Sequence, residues 1–420
     1  MKSLKVGIGI TVLVVLMIVI VLFLVLSGRL GCHTCDSCNN KSLKLIEAYK
    51  NSNTLSPIDT LRLRNNKYVL QDKSPGKPKG KPKVIHVLSY NVFLRPHLVQ
   101  NDAQCSRASL IPFSILDHFT TLQAPTPDII CCQECFSERA TKYLVTAFRR
   151  AGWPFIAYPN PSKANGGKVG SKVAVVGSGL LIASKFPYID LGVGLGGEVS
   201  ISFAACEGTD CLAAKGFMHV LIDHPDLGRV HVINTHLQLS DAILPPNAPQ
   251  SGKKWSRLYH RRQIQLQQLQ HIYDYVSTSS SIKKTDVVIY SGDWNIDLLR
   301  SNNYNNQFGL VMSALHTIQP IIIDVDSVVP IDGTRNSFVG RAGEADHNGC
   351  SAEYNSTGKC ACCPKRWVDY VVCSAVHRAP CTTSLEVVLL ESPLLYTPRF
   401  MKKNKQLSDH YPVLGTLLFV

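Results

Sequence analysis

The chain has 420 residues, of which 45% are hydrophobic and 18% are charged, with a formal net charge of +14. Such an apolar content supplies a large core and excludes an intrinsically disordered chain. The excess of positive charge predicts a surface that attracts anions, and nucleic acid and anionic lipid are the two classes of partner that it favours.

An uninterrupted apolar segment without charge runs from Val6 to Leu26. It is long enough to span a bilayer and apolar on every face, which is typical of a transmembrane helix. We predict that residues 1–27 anchor the chain in a membrane, and a cleaved signal peptide is the alternative. Lys2 and Lys5 favour a cytoplasmic N-terminus and a remainder that is extracytoplasmic or lumenal, and a remainder that faces the cytosol is the alternative.

Residues 28–83 are predicted to form a stalk or linker, since the stretch KSPGKPKGKPK combines proline, glycine and lysine. Its lysines favour contact with anionic phospholipid, and a solvated spacer is the alternative. The stalk also contains Cys32, Cys35 and Cys38, for which metal ligation, disulfide bonds and acylation all stay open. A disulfide here would link two chains into a homo-oligomer.

The 15 cysteines of the chain favour an oxidising compartment. Six of them crowd one region, as in a loop closed by disulfide bonds: Cys350, Cys360, Cys362, Cys363, Cys373 and Cys381. Asn40 and Asn355 begin the glycosylation sequences NKS and NST. These two sites predict a glycoprotein if this part of the chain is lumenal.

Short apolar segments typical of strands recur after residue 84 and alternate with helical patterns. One helical pattern has apolar residues at Leu266, Leu269, Tyr273 and Val276. Strands interleaved with helices predict an α/β sandwich, in which two sheets lie face to face, helices flank them, and a site forms where strand ends converge.

Several of the predicted strands end beside residues suited to metal-assisted phosphodiester cleavage. These residues are Asn91 in SYN, Glu134 in QE, His236 in NTH, Asp293 and Asn295 in DWN, Asp369 in VDY, and Asp409 and His410 in SDH. Each residue taken alone has a structural explanation, such as a solvated loop carboxylate or a buried structural histidine. The ordered set is hard to explain in that way.

Hydrolysis of a phosphodiester needs a cation on the phosphoryl oxygens, an activated water and a stabilised leaving alkoxide. Glu134 follows a buried strand and fits Mg²⁺, which prefers one or two carboxylates plus waters. Asp293 and Asn295 alternate with Trp294. We therefore expect both on one side of an extended segment, one holding the water and the other a phosphoryl oxygen.

Two histidines beside strands, His236 and His410, are the natural acid–base pair, because imidazole titrates near neutral pH. A base histidine works best when a carboxylate fixes its tautomer. Asp369 is the candidate for that carboxylate.

With these motifs, residues 84–420 resemble the endonuclease/exonuclease/phosphatase superfamily, and NTHLQ makes them most similar to the neutral, Mg²⁺-dependent sphingomyelinases. The resemblance implies a catalytic phosphodiesterase domain over this range and Mg²⁺ as the cofactor, with Mn²⁺ as an alternative cation. It implies Glu134 as the main metal ligand with Asn91 beside it. Asp409 would support the metal or the loop of His410.

The same resemblance places Asp293 and Asn295 beside the scissile phosphate and makes His410 the general base, oriented by Asp369. His236 would stabilise the transition state or protonate the leaving ceramide oxygen. The sequence leaves the choice of the base between His410 and Asp293 open.

The segment DCLAAKG resembles the Asp–x₄–Lys pair of animal neutral sphingomyelinases, which implies a regulatory role for Asp210 and Lys215. By that resemblance the two residues pair in one state of a catalytic loop. An ordinary loop aspartate and a lysine beside a strand are the plain alternative.

The sequence thus predicts a membrane-anchored sphingomyelin phosphodiesterase that releases ceramide and phosphocholine, contacts anionic phospholipid and does not bind nucleic acid. The enzymatic alternative is another metal-dependent phosphodiesterase of the superfamily, acting on a phosphoinositide, another phospholipid or DNA. A catalytically dead receptor on the same fold is disfavoured, because every expected polar position is filled. The apolar tract 191–208 is a candidate interfacial loop, with a plain hairpin as the alternative.

Overall fold

The computed structural model describes residues 82–96, 103–159, 168–169, 172–191, 198–239, 251–296, 312–318, 320–322, 368–380, 382–388, 390, 407–408 and 410–419. The predicted membrane anchor and the stalk up to residue 81 lie outside these ranges, as do Asn355 and Asp409. Within the described ranges, no helix is both long and apolar enough to cross a bilayer.

The first of two large sheets in the described residues has seven strands. Their spatial order is β12 (Ile321–Ile322), β14 (Thr382–Val387), β15 (Val413–Phe419), β1 (Lys83–Asn91), β2 (Ile129–Gln133), β6 (Leu181–Ser184) and β3 (Phe155–Ala157). The central strand β1 runs parallel to β2 and antiparallel to β15. The C-terminal ends of β1 and β2 therefore lie side by side.

The second sheet has the order β13 (Asp369–Cys373), β11 (Val287–Asp293), β10 (Gly228–His236), β9 (Gly216–His224) and β7 (Tyr188–Ile189). Strand β8 (Glu198–Ser202) also pairs with β9, and a separate hairpin joins β4 (Lys168–Val169) to β5 (Lys172–Val173). Because β10 and β11 are parallel, their C-terminal ends also meet at one edge.

Three long helices flank the sheets within the described ranges. Helices α1 (Gln104–Thr121) and α2 (Glu138–Ala151) share a buried apolar cluster with β1, β2 and β6. The Ser137 side chain caps α2, and Gly152 ends it with a left-handed φ of 106°. Helix α3 (Gly252–Thr278) packs on the second sheet, where Tyr275 contacts the rings of Phe217 and His219.

The two sheets pack closely and share a buried polar link near the strand ends. A Cβ atom at Gly415 of β15 would lie 2.5 Å from the Val371 side chain of β13, so the sheets meet there without room for a larger residue. Gln133 Nε2 donates to Asn234 Oδ1 at 2.8 Å, and Asn234 Nδ2 donates to the carbonyl of Cys132 at 2.9 Å. These bonds fix the two sheets against each other directly below the candidate site.

The predicted two-sheet α/β sandwich flanked by helices is confirmed, and α3 covers the predicted amphipathic helix. Helices α1 and α2 and strand β14 were not predicted. The predicted disulfide loop is wrong for Cys373, which is a buried free thiol in β13; the other five cysteines of that set lie outside the described residues. The tract 191–208 contributes strand β8, and its residues 192–197 lie outside the description.

Candidate active site

The ends of β1 and β2 bring Asn91 and Glu134 together. Asn91 is the last residue of β1 and pairs in register with Gln133, so Glu134 follows at the same edge. Asn91 Nδ2 donates to Glu134 Oε1 at 3.2 Å and to Asp293 Oδ2 at 3.1 Å. One buried amide therefore connects the strand ends of both sheets.

Strands β10 and β11 place His236 and Asp293 side by side at the ends of their parallel pairing. His236 Nε2 lies 3.4 Å from Asp293 Oδ2. Gly292, with φ 146°, allows β11 to approach β10 here, because a Cβ atom would lie 1.9 Å from the Thr235 carbonyl oxygen. The glycine of the SGDWN motif is thus required by the close approach of two backbones.

Strand β13 adds Asp369, which is directly opposite Asp293 in the antiparallel register. Asp369 Oδ2 lies 2.8 Å from His410 Nδ1, and His410 Nε2 lies 3.9 Å from Asp293 Oδ2. Ser408 fixes the segment before His410 by donating to the Asn91 carbonyl at 2.5 Å. All of these side chains are buried.

The expected extended conformation of residues 293–295 is wrong. Asn295 has a left-handed φ of 53°, and its amide Nδ2 donates to the Leu237 carbonyl at 3.1 Å. Its backbone N–H donates to Asp293 Oδ1 at 3.0 Å. Asn295 therefore turns the chain and holds one oxygen of Asp293, while Asp293 Oδ2 faces Asn91 and the two histidines.

Asp210 and Lys215, the expected regulatory pair, are in direct contact. Lys215 Nζ donates to Asp210 Oδ2 at 2.7 Å and to the Leu237 carbonyl at 3.0 Å. The same ammonium lies 3.1 Å from His236 Nε2. A disulfide between Cys206 and Cys211 closes the loop that carries Asp210. The pair thus lies against the site, whereas the sequence left its position relative to the site undefined.

Two arginines that were not predicted as site residues also shape the site. Arg95 Nε donates to Glu134 Oε2 at 2.8 Å, and its side chain is 32% exposed. Arg107 in α1 is buried and donates to the carbonyls of Val92 at 2.9 Å and Leu407 at 2.6 Å. Arg107 therefore joins the segment after β1 to the segment before His410. Neither residue lies in a strand-end motif, so the sequence offered no signal for them.

The electrostatic environment keeps Glu134 charged and His236 neutral. Burial opposes ionisation of Glu134, but the Arg95 guanidinium, His236 and hydrogen bonds from Arg95 and Asn91 outweigh it and lower the Glu134 pKa to about 2. Burial and the Lys215 ammonium lower the pKa of His236 to about 4, although Asp293 and Glu134 act in the opposite direction. Burial, together with the charge of Asp369, raises the pKa of Asp293.

Two arrangements of donor atoms suit a cation. Glu134 and Asn91 offer hard oxygen ligands, and an anionic carboxylate with a pKa of about 2 fits a Mg²⁺ ion. Asp293, Asp369 and His410 also form a group whose ligand atoms lie within 4.8 Å of one another. In that group Nδ1 of His410 is already bound to Asp369, an arrangement that suits a histidine base oriented by a carboxylate.

No family model matches the chain. The chain is 25% identical over 347 residues to sphingomyelinase C of Bacillus cereus, covering 79% of this chain and 88% of the relative.

Solved structures with the same fold include a sphingomyelinase C from Streptomyces griseocarneus, with a TM-score of 0.55 and 19% identity over 80% of this chain and 99% of that chain. A second is a beta toxin variant of Staphylococcus aureus with bound magnesium ions, with a TM-score of 0.56 and 22% identity over 79% of this chain and 99% of that chain. At these identities the structural likeness concerns the fold.

The relatives and the converging polar residues support a phosphodiesterase hydrolase, and its two-sheet fold is that of the solved sphingomyelinase structure. In sequence the chain is similar to proteins named sphingomyelinase C.

Proposed function

We propose that this protein hydrolyses sphingomyelin to ceramide and phosphocholine with the help of Mg²⁺, with Mn²⁺ as an alternative cation. The observation that carries the proposal is the convergence of Asn91, Glu134, His236, Asp293 and His410 at one edge of two sheets, where Asn91 bridges Glu134 and Asp293 at 3.2 and 3.1 Å. The relatives of this chain that are named sphingomyelinase C support sphingomyelin as the substrate.

Glu134 and Asn91 would hold the divalent cation. When bound, the cation neutralises charge on the phosphoryl oxygens of the substrate. Glu134 is suited to this task, because its low pKa keeps it anionic at every physiological pH. Asn91 keeps the Glu134 carboxylate oriented through its amide hydrogen bond.

His410 would act as the general base through Nε2. Its Nδ1 lies against Asp369 at 2.8 Å, which fixes the tautomer that leaves Nε2 able to accept a proton from water. Asp293, 3.9 Å from that Nε2, lies where it can orient the same water, and its raised pKa makes it the second candidate for the base. We favour His410 because its partner Asp369 stabilises the imidazolium that forms.

His236 would contribute a neutral imidazole beside the leaving alkoxide. Its low pKa disfavours a protonated ring, so hydrogen bonding to the developing charge is favoured over donation from an imidazolium. The Lys215 ammonium lies 3.1 Å from Nε2 and competes for the nitrogen that would face the substrate. We therefore propose that Asp210 and Lys215 regulate the site, with the observed pairing as the less active state.

The predicted membrane attachment belongs to the same proposal. A hydrophobic segment at residues 6–26 would anchor the chain beside its lipid substrate, with the enzymatic part extracytoplasmic or lumenal. The net charge of +14 favours contact with anionic phospholipid. Glycosylation at Asn40 and Asn355 and a disulfide-linked oligomer are further proposals of this topology.

The test measures phosphocholine release by the full-length chain from sphingomyelin vesicles, with Mg²⁺ and with EDTA. We expect release that EDTA abolishes and that His410→Ala lowers by about 10²- to 10⁴-fold. His260→Ala is the matched control, because the His260 side chain is exposed on α3. Full activity in EDTA would contradict the metal-dependent mechanism.

The alternative substrates are separated in the same experiment. If phosphoinositides, other phospholipids or DNA are cleaved with the same dependence on His410, while sphingomyelin is not, the mechanism stands and the substrate assignment is wrong. If His410→Ala retains full activity, the assignment of the base is wrong.

A further inference from the structure

Arg95 engages the carboxylate that is proposed to hold the metal. Its Nε lies 2.8 Å from Glu134 Oε2, and its Nη2 lies 3.4 Å from Oε1. Asn91 donates to Oε1 as well. Both carboxylate oxygens are therefore occupied by protein donors, and the single negative charge of Glu134 is matched by the guanidinium.

The main chain at Glu134 is fixed by its neighbours. Glu134 has a left-handed φ of 59°, its carbonyl accepts from the Leu94 N–H at 3.0 Å, and the next residue, Cys135, donates to Gly179 at 2.8 Å. The Glu134 side chain is also buried and accepts from Asn91 at 3.2 Å, so its carboxylate has less freedom to move than the Arg95 guanidinium. If one of the two groups moves, it is the longer and more exposed Arg95 side chain.

The Arg95 guanidinium has a second contact that allows such a movement. It lies 4.3 Å from the centroid of the Phe93 ring, in the range of a cation–π interaction. Phe93 is fully buried, whereas the Arg95 side chain is one-third exposed. The arginine can therefore leave the carboxylate and remain partly stabilised over the ring.

A divalent cation and Arg95 cannot both contact Glu134 in the observed way. Magnesium binds carboxylate oxygens at about 2.0–2.1 Å and requires near-octahedral geometry, so it needs an oxygen lone pair and the space beside it. The guanidinium places positive charge 2.8 Å from one oxygen and donates towards the other. Like charges at this separation disfavour simultaneous binding.

We propose that Arg95 is a built-in competitor for the metal site: the cation must displace it from Glu134, and the displaced guanidinium then faces the anionic phosphodiester. This inference rests on the proposed role of Glu134 as metal ligand. It assigns Arg95 as a positioning residue that lowers metal affinity and links metal binding to the capture of an anionic substrate.

The test is direct binding of Mg²⁺ and of Mn²⁺ to the full-length chain by titration calorimetry, without substrate. Arg95→Ala is expected to bind both ions at least about tenfold more tightly than the unaltered chain, since a charge-assisted hydrogen bond no longer competes. Arg95→Lys keeps the charge but loses the two-nitrogen contact. Its metal affinity is expected to lie between those of the unaltered chain and Arg95→Ala. Arg257→Ala, which removes an exposed arginine beside Glu207, is the control and is expected to change affinity less than about twofold.

The outcomes separate this inference from the proposed function. Glu134→Gln is expected to weaken metal binding by about tenfold or more, both in the unaltered chain and in combination with Arg95→Ala. If Glu134→Gln weakens binding but Arg95→Ala leaves it equal or weaker, the competition is refuted and the metal site stands. If Glu134→Gln leaves binding unchanged, Glu134 is not the ligand, and both the metal assignment and the competition are refuted.

Discussion

The contact between Asp369 and His410 decides whether His410 can act as the proposed base. The two atoms lie 2.8 Å apart, and Asp369 is fully buried at the edge of a sheet. A carboxylate in this position selects one imidazole tautomer and stabilises the charge that the ring acquires. Its removal should therefore affect the chemical step more than the binding of the lipid.

Replacing Asp369 by Asn is expected to lower kcat by about 10²- to 10⁴-fold with little change in KM, because the amide favours the wrong tautomer of His410. Steady-state kinetics on sphingomyelin vesicles measure both constants. Asp286→Asn is a matched control: Asp286 Oδ2 lies 3.0 Å from His231 Nε2 in another buried Asp–His pair, at the opposite end of β11. Equal loss of kcat in both variants would refute a specific role of Asp369.

At this scale the sequence predicted which polar side chains would meet, because strand ends converge in such a sandwich. It did not predict their conformations. Phe93, Glu134 and Asn295 all adopt left-handed backbone angles, with φ between 50° and 59°. Each left-handed conformation costs about 1–2 kcal/mol for a residue with a Cβ atom. No sequence pattern marks the positions where such a conformation occurs. From the sequence we predicted an extended backbone at Asn295, so the predicted position of its side-chain amide was wrong.

At the scale of elements, the register of β10 against β11 sets the distance between His236 and Asp293. The two residues are paired in register, and the preceding Gly292 lies against the Thr235 carbonyl. The approach of the two backbones is possible only without a Cβ atom at that position. The glycine therefore connects a local steric requirement to the geometry of the site.

Replacing Gly292 by Ala is expected to lower the free energy of unfolding by about 3 kcal/mol or more, because the added methyl group would lie 1.9 Å from a backbone oxygen. Gly228→Ala is the control, since Gly228 also has a positive φ, of 74°, but nothing lies within 4 Å of an added Cβ. It should cost only about 1–2 kcal/mol of backbone strain. Urea unfolding measures the free energy of unfolding of both variants. Equal losses in the two variants would show that the contact with Thr235 adds nothing to the cost of replacing Gly292.

Strands with continuous apolar character were the elements that the sequence predicted well, because burial on both faces leaves an unambiguous pattern. Strand β14, TTSLEV, alternates polar and apolar residues over a short length and was not predicted. Helix α1 contains Pro112 and several buried polar residues, among them Arg107 and Ser109, which hide its apolar face. Both elements are recognisable only from what they pack against.

At the scale of the whole molecule, a second polar network lies in the second sheet away from the candidate site. His219 Nδ1 lies 2.8 Å from the Tyr275 hydroxyl, and its Nε2 lies 2.9 Å from His231 Nδ1. His231 Nε2 in turn lies 3.0 Å from Asp286 Oδ2, and this oxygen also accepts a hydrogen bond from Arg229 Nε at 3.2 Å. Burial, followed by the proximity of His231, lowers the pKa of His219 to about 3.

This network predicts that the fold loses stability in acid. A histidine of the unfolded chain gains a proton below about pH 6.5, whereas folded His219 stays neutral down to about pH 3. The unfolded state therefore binds more protons in this window, and stability falls as the pH decreases from about 6.5 towards 3. His236, with a pKa of about 4, and Glu134, with a pKa of about 2, act in the same direction over their own windows.

Replacing His219 by Gln, which can hydrogen-bond to Tyr275 and His231, is expected to make this pH dependence shallower. Between about pH 6.5 and 4.5 one buried neutral histidine accounts for roughly 2–3 kcal/mol of lost unfolding free energy, at up to about 1.4 kcal/mol per pH unit. The glutamine variant should lack that part of the loss, even if its stability at neutral pH is lower. Urea unfolding at several pH values measures the slope, with His260→Gln on the exposed face of α3 as the control. If the His219 variant keeps the slope of the unaltered chain, the acid sensitivity arises elsewhere, and His236 at the end of β10 is the group to examine next, because its window also covers this pH range.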